Sequence, residues 1–184
     1  MTTVSADHND GIKPERALKH AIRHIRGDRV QIVEGIIEPV SPTWDHEAAA
    51  EIRDQIRARV RELDCVTGSG NLDLPGSSNR YVPDTAVVPA AAARGGGAPL
   101  PDQTLLVVEV TTESSGDTAG VVKRKRYAEY GAPLQLLVDR QERSVTPYSE
   151  PGPLGYTRAD GPHHHGAVLH LPEPFGLDLD TGTL

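Results

Sequence analysis

Leu105-Leu106-Val107-Val108-Glu109-Val110 is an apolar run interrupted by one carboxylate. Short runs of aliphatic and β-branched residues read as strands covered on both faces, the pattern of a sheet with helices packed on it. A carboxylate inside such a strand is costly unless a cation or hydrogen-bond donors meet it. Glu109 therefore calls for a partner elsewhere in the chain. Upstream, Tyr81-Val82-Pro83-Asp84 ends in a second acid just before Thr85-Ala86-Val87-Val88. The stretch from Tyr81 to Val88 reads as one strand, ended by Pro89. Downstream, Asp117 to Tyr130 reads as a helix closed by Gly131, and it carries Lys123-Arg124-Lys125-Arg126-Tyr127.

Around this centre, Pro14 opens a short helical pattern with Leu18, Ala21, Ile22 and Ile25 on one face, ended by Gly27-Asp28. Val30, Ile32 and Val33, then Ile36 to Val40, flank Glu34-Gly35 and read as a hairpin. Ser41-Pro42 supplies a helix N-cap and first turn, and from His46 the residues Ala49, Ile52, Ile56, Val60 and Leu63 recur at helical spacing. Turns surround Leu72-Asp73-Leu74, and Ala90 to Pro101 reads as a flexible connection around Gly95-Gly96-Gly97. Leu134 to Val138 is a second buried strand, paired with Ser144 to Tyr148. The Val168 to Leu184 tail, punctuated by Pro and Gly, offers at most one edge strand. There is no internal repeat. The order suits an α/β fold, a mixed central β-sheet flanked by α-helices. It divides into an N-terminal polar segment with a short helix, 1–27, and one domain over 28–184.

Composition sets the outer bounds. With 184 residues, 37% of them hydrophobic and 24% charged, the chain suffices for one domain with a substantial core. Aromatic residues make up only 4%, so the core is expected to be built from Val, Leu, Ile and Ala. The single cysteine, Cys65, excludes an internal disulfide framework and fits a reducing cytosol, where it reads as a core residue. No apolar run approaches the roughly 18 residues that span a bilayer, and the first residues are polar, unlike a signal peptide. A cytoplasmic location is the expectation. The net charge of −7 argues against a general nucleic-acid binder, which usually carries a basic footprint. It leaves a nuclease open, because metal ions restore affinity at an acidic site.

Two strand-borne acids followed by a lysine form the outline of a divalent-metal phosphodiesterase. Phosphodiester hydrolysis needs an activated water, neutralised charge in the transition state and help for the leaving oxygen. Hard divalent cations with oxygen ligands supply most of this. Asp84 and Glu109 on neighbouring strands would converge on Mg²⁺ or Mn²⁺, with the Val110 carbonyl as a further ligand. A nearby lysine would stabilise the developing negative charge.

These residues resemble the Uma-two-type family of restriction endonuclease-like proteins within the PD-(D/E)xK nuclease superfamily. The likeness rests on Val33-Glu34-Gly35, Ser41-Pro42 with His46, Val82-Pro83-Asp84, Val107-Val108-Glu109-Val110 and Lys123 through Gly131. Leu136-Leu137-Val138-Asp139 and Leu171-Pro172-Glu173-Pro174-Phe175-Gly176 extend it, so that it covers the chain from about Gln31 onward. It implies a restriction-endonuclease-like fold, metal-dependent endonucleolytic cleavage of DNA, and a homodimer by analogy with nucleases of this fold. Asp84 matches the acid of the Pro-Asp motif, Glu109 the second acid and Glu34 an upstream auxiliary acid. His46 matches a helix-start histidine. The superfamily's usual lysine position, two residues after the second acid, is Thr111 here. In Uma-two-type sequences the lysine comes from the following helix, four residues before a tyrosine. Lys123 has that spacing to Tyr127, and Lys125 is the alternative.

Taken singly, each feature has an ordinary explanation. Asp84 is a common turn cap, Glu34 a turn residue, and Lys123 to Arg126 a solvated helix face. Glu109 could form a structural ion pair with Lys123 or Arg124. His163-His164-His165, flanked by Gly and Pro, reads as a surface loop, because consecutive side chains do not converge easily on one ion. The rival to an active nuclease is therefore a nuclease-like scaffold that acts as a binding or regulatory module, its acids purely structural.

Overall fold

The computed structural model describes residues 14–24, 30–40, 47–111 and 118–184. Helix α1 (Pro14–Ala21) runs into a 3-10 turn at Ile22–His24. Strands β1 (Val30–Val33) and β2 (Ile36–Pro39) pair antiparallel as the expected hairpin. Its turn residues, Glu34 and Gly35, both have positive φ (47° and 80°), as a tight primed hairpin turn requires. The Ser41-Pro42 cap and His46 lie outside the described residues. Helix α2 (Glu47–Glu62) buries Ala48, Ala49, Ile52, Ile56 and Val60 along one side, the stripe its sequence periodicity predicts.

The expected single strand from Tyr81 to Val88 is two strands in two different sheets. After β3 (Cys65–Gly68) and β4 (Leu72–Asp73) come β5 (Arg80–Tyr81) and β6 (Thr85–Pro89), with Val82-Pro83-Asp84 as the step between them. Pro83 has no N–H to give a ladder, so the chain leaves one sheet there and enters the other. The supposed flexible connection also contains structure, namely α3 (Ala90–Arg94) and a 3-10 turn at Pro101–Gln103. Four consecutive alanines have the helix propensity for α3.

β7 (Leu106–Thr111) is buried at every position. The following helix begins as a π-helical turn over Thr118–Lys123 and becomes regular only in α4 (Arg124–Glu129). Gly131, with φ of 79°, ends it. Then come β8 (Leu134–Asp139), β9 (Ser144–Gly152), β10 (Gly155–Ala159), β11 (His163–His164), β12 (Val168–Leu171) and β13 (Leu177–Asp180). The histidine run thus includes a short strand paired with β9, not only a loop. The tail holds a two-stranded hairpin instead of one edge strand.

The central sheet has the order β10-β9-β8-β7-β6-β3, with β11 added on β9. β7 and β8 are parallel, with α4 on the crossover between them, and the sheet's other pairs are antiparallel. A smaller sheet, β2-β1-β5-β4, lies beside it. Alternation along β7 divides the core. Leu106, Val108 and Val110 join α2 and the β12–β13 hairpin on one side. Val107 joins Val33, Leu72, Leu74, Tyr81, Tyr127 and Ala132 on the other. Tyr81, Tyr127 and Phe175 are fully buried, so three aromatic residues sit within a core expected to be aliphatic. Among the described residues, no helix is long and apolar enough to cross a membrane.

Candidate active site

Glu109 shares its face of β7 with Val107, so its carboxylate projects into the smaller of the two cores. It is 2% exposed and Lys123 is 4% exposed. The Lys123 ammonium lies 2.6 Å from Glu109 Oε1 and 2.8 Å from Oε2, and it also donates to the Val82 carbonyl at 3.2 Å. Tyr127, one turn along the same helix, donates its hydroxyl to Glu109 Oε1 at 2.6 Å. Residues four apart share a helix face, so one element delivers both donors to one acid. The π-helical turn supplies Lys123 at its last position, and such turns are frequent at functional sites.

Asp84 stands at the step between the two sheets. The antiparallel pairing of Thr85 with Val108 leads back to Asp84 beside the Glu109-Val110 step. There Asp84 Oδ2 accepts the Val110 N–H at 2.7 Å. The two acids are near enough to repel. Burial first, and the Asp84 charge in the same direction, raise Glu109 to about 7 against the opposing pull of Lys123. Burial also pushes the Tyr127 hydroxyl well above its ordinary range, helped by the neighbouring Glu109 charge.

Glu34 is carried to this neighbourhood by the hairpin but occupies a second cluster. Arg126 grips it in a bidentate pair, Nε to Oε1 at 2.9 Å and Nη2 to Oε2 at 2.6 Å. Asn79 donates to Glu34 Oε1 at 3.0 Å and the Tyr81 hydroxyl at 3.3 Å. The Arg126 hydrogen bonds hold Glu34 below the ordinary carboxylate range. Tyr81 links the clusters, since its ring meets Tyr127 edge-on at 5.6 Å and lies 5.9 Å from the Lys123 nitrogen. Of the sequence-predicted residues, then, Glu109, Lys123 and Asp84 gather where β6 starts beside β7. Glu34 stands one tyrosine away.

Lys125 is exposed and, among the described residues, reaches only Glu129, at 3.8 Å. The Val110 side chain belongs to the other core, so only its main chain faces Asp84. Thr111, at the superfamily's usual lysine position, is buried, with its hydroxyl 3.4 Å from the Val138 carbonyl. Tyr127 as a donor to Glu109, and the Asn79, Tyr81 and Arg126 cradle of Glu34, escaped the sequence reading. The four-residue spacing of Lys123 and Tyr127 was the available signal for the first, whereas the cradle joins residues too distant in sequence to be paired.

Among the described residues, no three His, Cys, Asp or Glu side chains gather as a metal cage. The site offers the two carboxylates of Asp84 and Glu109. Mg²⁺ is commonly held by one or two carboxylates and retains several waters. Mutual repulsion of Asp84 and Glu109 is the property a cation would relieve.

Residues 19–182 match the sequence model of the Uma2 family, described as “Putative restriction endonuclease”. No curated protein sequence matches the chain. In three dimensions the chain is similar to a crystal structure described as a putative nuclease belonging to DUF820 from Anabaena variabilis. The TM-score is 0.68 at 17% identity, over 90% of this chain and 95% of that one. At that identity the likeness speaks for the fold.

Proposed function

We propose that this chain, which belongs to the Uma2 restriction-endonuclease family, is a divalent-metal-dependent endonuclease that hydrolyses DNA phosphodiester bonds. The observation that carries the reading is the buried Glu109–Lys123 pair beside Asp84, an expensive arrangement that packing alone does not call for. Asp84, Glu109 and the Val110 carbonyl would hold Mg²⁺ or Mn²⁺. When bound, the ion would polarise the phosphate and neutralise its charge. In the overall reaction, water adds to phosphorus, one P–O ester bond breaks, and the departing oxygen leaves as an alcohol. Lys123 would donate from its ammonium to a phosphate oxygen as charge accumulates. Tyr127 fixes the Glu109 carboxylate through its hydroxyl, and the Val110 N–H fixes that of Asp84. Glu34, bound by Arg126, positions α4 through that contact.

The decisive experiment is plasmid cleavage in Mg²⁺ and Mn²⁺ by wild type, Asp84→Asn and Glu109→Gln, with each variant's fold checked by circular dichroism. Cleavage by wild type and its loss in both folded variants is the expected result. Undiminished cleavage by both variants excludes these acids. A second reading, a nuclease-like binding module without catalysis, is favoured by one observation: Lys123 and Tyr127 already satisfy both Glu109 oxygens. A wild type that binds DNA but cleaves with neither metal would establish it.

A further inference from the structure

Two cavities, of about 520 and 290 Å³, meet at Arg23, Arg80, Asn71 and Gly70. The larger has the size of a small-molecule pocket. Among the described residues no Asp or Glu lines either one, although the chain carries a net charge of −7. Among the described residues, Arg80 Nε and Asn71 Oδ1 are both buried and find no hydrogen-bond partner. A buried donor left unpaired is costly, so the cleft wants an acceptor at Arg80.

Its position relative to the acids follows from the strand register. Ala86 pairs with Val107 on one side and Gly68 on the other, and Val66 pairs with Val88. Directly paired residues share a sheet face, and alternate residues along a strand do too. Ala86 and Val88, which line the larger cavity, therefore continue the face that carries Glu109. The smaller cavity reaches Val82, whose carbonyl receives Lys123. The cleft with its two arginines thus reaches the residue whose carbonyl Lys123 holds, next to the buried Glu109–Lys123 pair.

We propose that this cleft holds the nucleotide next to the cleaved bond, its phosphate on Arg80 and Arg23 and its base against Val66 and Val88 beside the Asn71 amide. The choice of ligand rests on the nuclease reading; the choice of an anion rests on the cleft itself.

The test is fluorescence anisotropy with a fluorescein-labelled single-stranded DNA 12-mer in EDTA, over a series of salt concentrations. Arg80→Ala and Arg23→Ala are expected to weaken binding about five- to tenfold. Each should flatten the plot of log affinity against log salt by about 0.7. Arg158→Ala, on exposed β10, serves as the control and stays within twofold of wild type. Asn71→Asp, which adds a negative charge to the cleft, is expected to weaken binding as much as Arg80→Ala. If Arg80→Ala does not fold, Arg23→Ala and Asn71→Asp still decide the matter, since neither removes a core side chain. Wild-type affinity and slope in Arg23→Ala and Asn71→Asp would overturn the proposal, as would a wild type that does not bind the strand. Cleavage in Mg²⁺ is scored separately. Arg80-dependent binding without any cleavage leaves the cleft standing and removes the nuclease, whereas Glu109-dependent cleavage with indifferent arginine variants does the reverse.

Discussion

Two opposing forces meet at the Glu109 carboxyl. Burial favours its neutral form, while Lys123 and Tyr127 favour the charged one, and burial is the stronger, leaving the group at about 7. An unfolded glutamate releases its proton near 4.5, so between these values the folded chain binds the extra proton. Stability from this group therefore falls as pH rises from about 4.5 to 7, by roughly 3 kcal/mol, and is constant above. A ¹³C titration of the Glu109 carboxyl should find its midpoint near 7, and a midpoint below 5 would contradict this balance. Tyr127→Phe removes one donor and keeps the ring against Tyr81. It should cost about 1.5–3 kcal/mol in urea unfolding and move the Glu109 midpoint further up.

At the scale of elements, α4 matters because the helix it completes brings Lys123 and Tyr127 to the same acid. Gly131 ends it with φ of 79°, and a Cβ there would stand 3.2 Å from Asp102 Cβ. Gly131→Ala should therefore destabilise the chain by about 1–2 kcal/mol, read as a shift in the urea midpoint. The elements also show what the sequence can convey. The buried strand around Glu109, the α2 stripe and the Glu34-Gly35 hairpin were legible because each is a local pattern. The break at Pro83 was not, since residues Tyr81 to Val88 have strand character throughout and only the choice of sheet separates them. The β12–β13 hairpin was missed because its neighbouring turns hide two strands of four residues. At the site, two acids and the lysine could be named from their order. The bidentate hold of Arg126 on Glu34 could not, because the two stand 92 positions apart.

Across the whole molecule, the two sheets meet at the candidate site, β5 and β6 being joined through Val82-Pro83-Asp84. A ligand bound there steadies both. Mg²⁺ at about 100 times its dissociation constant should add about 2.7 kcal/mol, or roughly 5–10 °C in melting temperature. Asp84→Asn should abolish that shift, and an equal shift in the variant would put the ion elsewhere. The lysine already seated on Glu109 gives this binding an unusual character. An incoming ion would not fill a vacancy; it would compete with a tethered cation for the same acid, so its affinity would be the difference between two attractions. Removing the tethered competitor should then reward the ion while disarming the chemistry. Lys123→Met is expected to bind Mg²⁺ more tightly than wild type in calorimetric titration and to cut DNA far more slowly, so that occupancy and turnover move in opposite directions.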